Sequence, residues 1–245
     1  MVGSRVGHIL IQSVASLSDL FFPRICVVCG SHLEAGKRYL CPECEDDIPL
    51  TYFWSWEANP AEARLQALFP AQRACSLFIY RNDSGYSHLI HNFKYKADIN
   101  LGKKLASLLA EYMISGGRFE DIEAVVSVPL HPIKKWQRGF NQSDIIGRQL
   151  ASVFQQYYGH TIIFEPNLVR RKRYTRSQTK AADRTANMAG AFQLDKNAIR
   201  RFNILGIKKI LLVDDVLTTG STIASIASVI GDSIDISVAT LGFVE

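Results

Sequence analysis

Apolar and polar positions along the chain fall into two alternating rhythms. Short, densely apolar runs occur at Cys75–Tyr80, Ala124–Val128, Thr161–Phe164, Ile210–Val213 and Ile234–Leu241, and each reads as a buried strand. Between them the spacing changes to three and four residues. Leu101, Leu105, Leu108, Leu109 and Tyr112 share one face of a helix over 101–114. Ile145, Ile146, Gln149, Leu150, Val153, Phe154 and Tyr157 do the same further on, and Ile223, Ile226, Ala227 and Ile230 again near the end. His88–Lys96 is apolar on alternate turns. Strands alternating with helices predict an α/β fold with a mostly parallel sheet, whose ligands bind at the carboxyl ends of the strands.

Two stretches fit neither rhythm. Residues 50–73, with Trp54, Trp56, Pro60 and Pro70, read as an irregular connector packed on a neighbour. Pro129-Leu130-His131-Pro132 reads as a loop, because the residue before a proline is pushed out of the helical region. Near the start, Ile9, Leu10, Val14, Leu17 and Leu20 suit a docking helix. It is broken by polar residues and lacks a cleavage site, so it is not read as a signal peptide. No apolar run approaches the ~20 residues of a membrane span.

A chain of 245 residues accommodates one substantial domain and a small one. The expected division is residues 1–49, an N-terminal helix with a cysteine module, and residues 50–245, the α/β domain. The net charge of +5 is concentrated. Residues 168–187 hold seven cations, Arg170, Arg171, Lys172, Arg173, Arg176, Lys180 and Arg184, against Asp183 alone. That implies a local anion site rather than a general nucleic-acid coat.

Cys26-x₂-Cys29-x₁₁-Cys41-x₂-Cys44 carries the spacing of a tetrahedral Cys₄ zinc site. Four thiolates leave no open position for chemistry, so the expected Zn²⁺ is structural and supplies folding energy to a module too small to fold unaided. Two disulfides would require an oxidising compartment, and an iron–sulfur cluster is the remaining alternative. His32 stands close enough to replace a thiolate, and Cys75 reads as a buried core thiol.

The densest chemistry lies at Ile210-Leu211-Leu212-Val213-Asp214-Asp215-Val216-Leu217-Thr218-Thr219-Gly220-Ser221-Thr222. A strand is expected to end at the two carboxylates, and a turn of small hydroxyl residues leads into a helix. Free N–H groups at a helix start attract a phosphate. Gly220 permits close approach, and Thr218, Thr219, Ser221 and Thr222 add donors. Asp214 and Asp215 repel phosphate but accept from vicinal hydroxyls, so a sugar phosphate with a divalent cation fits. The stretch resembles the PRPP-binding signature of type I phosphoribosyltransferases over all thirteen positions. By that resemblance Asp214 and Asp215 hold the ribose and count as catalytic, Thr218 to Thr222 hold the 5′-phosphate, Val216 and Leu217 belong to the same PRPP-binding stretch, and Mg²⁺ accompanies PRPP. The fold is then the phosphoribosyltransferase-like sheet with helices on both faces. The bland alternative is an ordinary strand–turn–helix junction.

Two further loops suit the pyrophosphate of PRPP. Pro129, Leu130 and His131, followed by Arg138-Gly139-Phe140-Asn141-Gln142, make a second anion cradle, with Arg138 a candidate catalytic residue. Alternatively Arg138 caps a neighbour and Asn141 is a plain N-cap. In the basic segment Arg173, Gln178 and Arg184 are candidates for a lid that orders on phosphate, against a solvated loop.

The order of these elements, with Phe93-Lys94-Tyr95-Lys96 between them, is similar to the ComF family, bacterial proteins associated with competence for DNA uptake. The resemblance covers nearly the whole chain. It implies a cytoplasmic phosphoribosyltransferase-like protein, an enzyme of unknown acceptor, in the handling of incoming single-stranded DNA. The competing reading is a non-catalytic protein that binds single-stranded DNA, or a DNA-uptake helicase or processing partner, through the zinc finger and basic segment. Tyr52, Phe53, Trp54 and Trp56 then serve either as base-stacking residues or as a hydrophobic seam.

Overall fold

The computed structural model describes residues 23–34, 36–172 and 190–245. The predicted N-terminal helix lies outside them, as do Arg173, Gln178 and Arg184. A short helix, α1 (Pro42–Asp46), belongs to the cysteine module. Next come α2 (Pro60–Gln66), β1 (Ala74–Ile79), α3 (Ser87–Tyr95), α4 (Ile99–Ser115) and β2 (Ala124–Ser127). After them stand α5 (Pro132–Arg138), α6 (Gln142–Tyr158), β3 (Ile163–Phe164), β4 (Val169–Arg171) and β5 (Phe192–Leu194). α7 (Lys196–Leu205), β6 (Lys209–Leu217), α8 (Ser221–Ile230) and β7 (Asp235–Phe243) follow.

Five strands form one sheet in the order β1-β7-β6-β2-β3, every pair parallel. β4 and β5 form a separate antiparallel pair. This is the mostly parallel α/β sheet that the alternating pattern predicts. Ile210, Leu211, Leu212 and Val213 are wholly buried, as a strand covered on both faces requires. The right-handed crossover rule assigns the helices. β1 to β2 and β2 to β3 move the same way across the sheet, so α4 and α6 share a face, where Gln149 Nε2 donates to Ser107 Oγ at 2.9 Å. β6 to β7 moves the other way and sends α8 to the opposite face.

Three elements differ from the expectation. β6 does not stop at Val213 but runs through both carboxylates to Leu217. β7 continues beside it, pairing Asp214 with Thr240 and Leu217 with Phe243, whereas β2 pairs last at Ser127 with Val213. The connector over 50–73 contains α2, started by Pro60 and capped by Asn59, whose Oδ1 accepts from the N–H groups of Ala61 and Glu62 at 3.0 Å each. The loop at Pro129 ends sooner than expected, because Pro132 occupies the first turn of α5, where its missing N–H costs nothing.

Phe53 and Trp54 are buried, and Trp54 stacks on Tyr112 with ring centroids 4.5 Å apart. Phe53 packs on Phe243, so both rings belong to the core of the α/β domain, whereas Tyr52 and Trp56 are exposed. Cys75 is buried in β1, and burial pushes its thiol up. Among the described residues no helix is long and apolar enough to cross a membrane.

Candidate functional site

β2 and β6 lie side by side, but the chain leaves them in opposite directions, toward β3 and β7. That is the switch point at which an open parallel sheet leaves a crevice. Because β2 ends one residue short of Asp214, the Asp214 carboxyl faces this crevice with no strand beside it.

A cavity of about 170 Å³ fills the crevice. Pro129, Leu130, His131 and Arg138 meet Asp214, Asp215 and Thr222 on its wall. Two of the predicted loops thus converge in space. Val216, Leu217, Thr218, Thr219, Gly220 and Ser221 are not on the wall. Leu217 is buried because the strand continues, so it belongs to the core. Beside Val128, five more residues line it: Lys94, Lys134, Gln142, Ser143 and Arg171. None of these five stood out as an individual candidate in the sequence. Lys94 lies in the Phe-Lys-Tyr-Lys element, Gln142 ends the Arg-Gly-Phe-Asn-Gln run, and Arg171 is hidden among seven cations of equal appearance.

Asp214 Oδ1 accepts from Ser143 Oγ at 3.1 Å and from the Asp215 N–H at 2.9 Å. Asp214 keeps some surface toward the crevice, but protein surrounds its carboxyl. Burial first, and the charge of Asp215 second, push its pKa up to about 7. Asp215 pairs with Lys94 Nζ at 3.0 Å. Two carboxyls in one small site are thereby differentiated, one partnered by a cation and one held near neutrality.

Gly220 is the N-cap of α8 at φ 78, with no side chain capping the helix. Apart from a long bond from the Ser221 N–H to Thr219 Oγ1 at 3.4 Å, the left-handed turn leaves the first N–H groups of α8 open toward the loop. A Cβ at Gly220 would lie 2.9 Å from Leu65 Cδ2 and 3.1 Å from Leu68 Cδ1, so glycine is required by space as well as by φ. Arg64 of α2 holds the loop from behind, donating to the Thr218 carbonyl at 2.6 Å.

Arg138 does not cap a neighbouring helix. Its Nη1 donates to Gln142 Oε1 at 2.9 Å, and its Nη2 to Tyr95 Oη at 3.3 Å. Asn141 occupies the N-cap position of α6, but its side chain accepts from none of the helix's first N–H groups. Its amide donates to the Val128 carbonyl at 3.0 Å and to Asp144 at 2.8 Å, fixing the crevice loop.

Among the described residues, two buried donors on this wall have no partner, Gln142 Nε2 and Arg171 Nε. Gln142 cannot simply turn its amide over, because Arg138 already donates to its oxygen. A buried donor without an acceptor costs roughly 1–3 kcal/mol. Burial lowers the pKa of Arg171, and Asp214 partly restores it. With Lys94, Lys134 and Arg138 nearby, the unmet demand is for an oxygen-rich anion.

The cysteine module forms a second centre. The Sγ atoms of Cys26, Cys29, Cys41 and Cys44 all lie within 4.8 Å of one another, and those of Cys29 and Cys41 are 3.7 Å apart. A tetrahedron with Zn–S bonds of ~2.3 Å has edges of ~3.8 Å, so the cluster fits zinc. The knuckle turns by way of Gly30 at φ 76, whose N–H donates to the Cys26 carbonyl at 2.9 Å. A hydrogen bond from Ser31 lowers the pKa of Cys29 to about 6, while burial and neighbouring thiols raise that of Cys44. A bound dication lets all four ionise together. The site is a structural zinc site. His32 is not in the cluster, and its residue forms a backbone bridge with Ile25.

Residues 17–53 match the family described as Double zinc ribbon domain. The chain is similar to Competence protein F of Haemophilus influenzae, 28% identical over 224 residues that cover 86% of this chain and 92% of that protein. It is 31% identical to DNA utilization protein YhgH of Escherichia coli, over 84% of this chain and 83% of that protein. The Salmonella typhimurium protein of the same name matches equally.

Proposed function

This chain belongs to the ComF family, and from that premise we propose that the crevice between β2 and β6 binds PRPP as a step in the handling of DNA taken up by the cell. The observation that carries the reading is the joint placement of an acidic pair, Thr222 of the first turn of α8 and two unpartnered buried donors around one small cavity. Few ligands need all three. A ribose offers vicinal hydroxyls to Asp214 and Asp215. Its 5′-phosphate takes the N–H groups of α8 with the Thr218–Thr222 hydroxyls. Its pyrophosphate takes Arg138, Lys94, Gln142 and Arg171.

The residues suit transfer of the phosphoribosyl group to a nucleophile. The C1–O bond breaks with its electron pair leaving on pyrophosphate, and the acceptor's lone pair forms the new bond. Arg138, Lys94 and Arg171 stabilise the charge that grows on the leaving group. Asp214 and Asp215 would be the residues to hold a Mg²⁺ bound with PRPP, and the ion would supply neutralisation of phosphate charge. No covalent intermediate on the protein is required.

The test is calorimetric titration of zinc-loaded protein with PRPP and Mg²⁺, repeated with Asp214→Asn/Asp215→Asn. Binding in the micromolar range that the double variant loses, with zinc content unchanged, is the expected result. Equal affinity in the double variant rejects the ribose assignment, and no binding by wild type rejects the PRPP site.

A further inference from the structure

No residue of the cysteine module lines the crevice, yet one nine-residue helix touches both centres. The first turn of α3 and the residues before it meet the zinc knuckles. Tyr86 Oη donates to the Cys44 carbonyl at 3.1 Å, and His88 Nδ1 donates to the Val27 carbonyl at 3.3 Å. Gly85 lies so close that a Cβ would come within 2.8 Å of the Val28 carbonyl oxygen. Those carbonyls belong to the turns that zinc coordination holds in shape. The last turn of α3 meets the crevice. Lys94 pairs with Asp215, Tyr95 carries the Arg138 guanidinium 4.9 Å above its ring, and Phe93 packs on Phe140 at 5.9 Å. About 9 Å of helix separates His88 from Lys94.

We propose that α3 is a brace through which the zinc module sets the position of Lys94 and Tyr95, so that zinc loading and PRPP binding are thermodynamically coupled. This rests on the reading of the crevice as a PRPP site. Tyr86 and His88 are its positioning residues and touch no substrate. With zinc bound, the knuckle carbonyls stand fixed, and α3 holds Lys94 on Asp215 and Tyr95 under Arg138. Without zinc those carbonyls lose their fixed geometry, and the start of α3 loses its anchorage. A packed helix moves as a rod, so the loss at one end displaces the other. Coupling of this kind is reciprocal, and PRPP must tighten zinc by the factor by which zinc tightens PRPP.

The brace is distinguishable from general support. The module also touches α4, through Tyr39 Oη to Asp98 at 3.1 Å and Lys104 to Glu45 at 3.2 Å. Cutting Lys104 weakens the attachment but leaves α3 in place.

The experiment compares wild type, Tyr86→Phe/His88→Ala and Lys104→Ala, each confirmed to carry one zinc per chain. PRPP affinity is measured with Mg²⁺, and zinc affinity by competition with a chromophoric chelator, with and without PRPP. The double variant is expected to bind PRPP roughly tenfold more weakly, within the usual range of coupling. Lys104→Ala is expected to match wild type, and PRPP to raise wild-type zinc affinity by a similar factor. Equal PRPP affinity in wild type and the double variant overturns the brace, as does zinc affinity indifferent to PRPP. Amide hydrogen exchange without ligand keeps the two readings separate. Faster exchange at residues 90–95 and 214–222 in the zinc-loaded double variant supports the brace even if wild type binds no PRPP. Unchanged exchange there rejects it.

Discussion

Asp214 makes the fold less stable than it need be, and replacing it should reveal the cost. Its folded pKa is about 7 against an ordinary 3.8. A raised carboxyl pKa means that the folded state holds its proton more tightly than the unfolded chain does. The associated stability is fully present below pH ~3.8, falls as pH rises toward ~7, and is gone above that. Across roughly three pH units, at ~1.4 kcal/mol each, the loss is about 4 kcal/mol. The surface that Asp214 keeps toward the crevice makes this an upper bound. Asp214→Asn is neutral at every pH, and its side-chain oxygen can keep the bonds from Ser143 and the Asp215 N–H. The variant should therefore match wild type near pH 4 and exceed it progressively up to pH 8. A chain of this length gains roughly 2–4 °C of Tm per kcal/mol, so the gap at pH 8 should reach at most roughly 8–16 °C. Thermal melts followed by circular dichroism from pH 4 to pH 8.5 measure it. A gap independent of pH, or a variant less stable than wild type at pH 8, would show that the carboxyl is not strained by burial.

Other perturbations address separate parts of the chain. Gly220→Ala forces a side chain into a left-handed position against Leu65 and Leu68; it should lose about 1–3 kcal/mol of stability in urea titrations, and an unchanged midpoint would refute the packing argument. Gln142→Leu removes an unpartnered donor, so PRPP should bind about tenfold more weakly, as expected for one hydrogen bond to a charged ligand. Unaltered affinity would mean that Nε2 faces no ligand. Cys41→Ser should leave less than one zinc per chain by elemental analysis and lower the melting temperature; full zinc content would reject the Cys₄ set.

How much of this was legible depended on whether the signal was local. The Cys₄ spacing carries its chemistry within a few residues, and its thiols cluster as that spacing predicts; of the stretch from Ile210 to Thr222, Asp214, Asp215 and Thr222 reach the crevice. The end of β6 was misjudged because a strand's length is set by its partners. Asp214 and Asp215 look like a terminus, yet β7 continues on one side and β2 stops on the other. The helix α2 was hidden by prolines and aromatics, although Asn59-Pro60 is a helix start in miniature. Lys94 and Arg171 reached the crevice by tertiary placement alone. An ion pair between residues 94 and 215 leaves no periodic trace, and one arginine among seven cations carries no label. The pairing of Gln142 with Arg138 was visible as a four-residue spacing, but the unsatisfied half of its amide was not.

The strand order has a consequence for how the chain is made. β7 comes after every other strand in sequence, yet it lies between β1 and β6. On a growing chain, β1 therefore waits for its neighbour until residues 235–243 emerge from the ribosome. Through most of synthesis its apolar run at Cys75–Ile79 has only the segment around Leu50 to pair with. The cysteine module, whose ligands are all contained within residues 26–44, faces no such delay and can close on zinc early. Assembly is then expected to proceed from the two ends inward, with the metal site formed first and the sheet completed last.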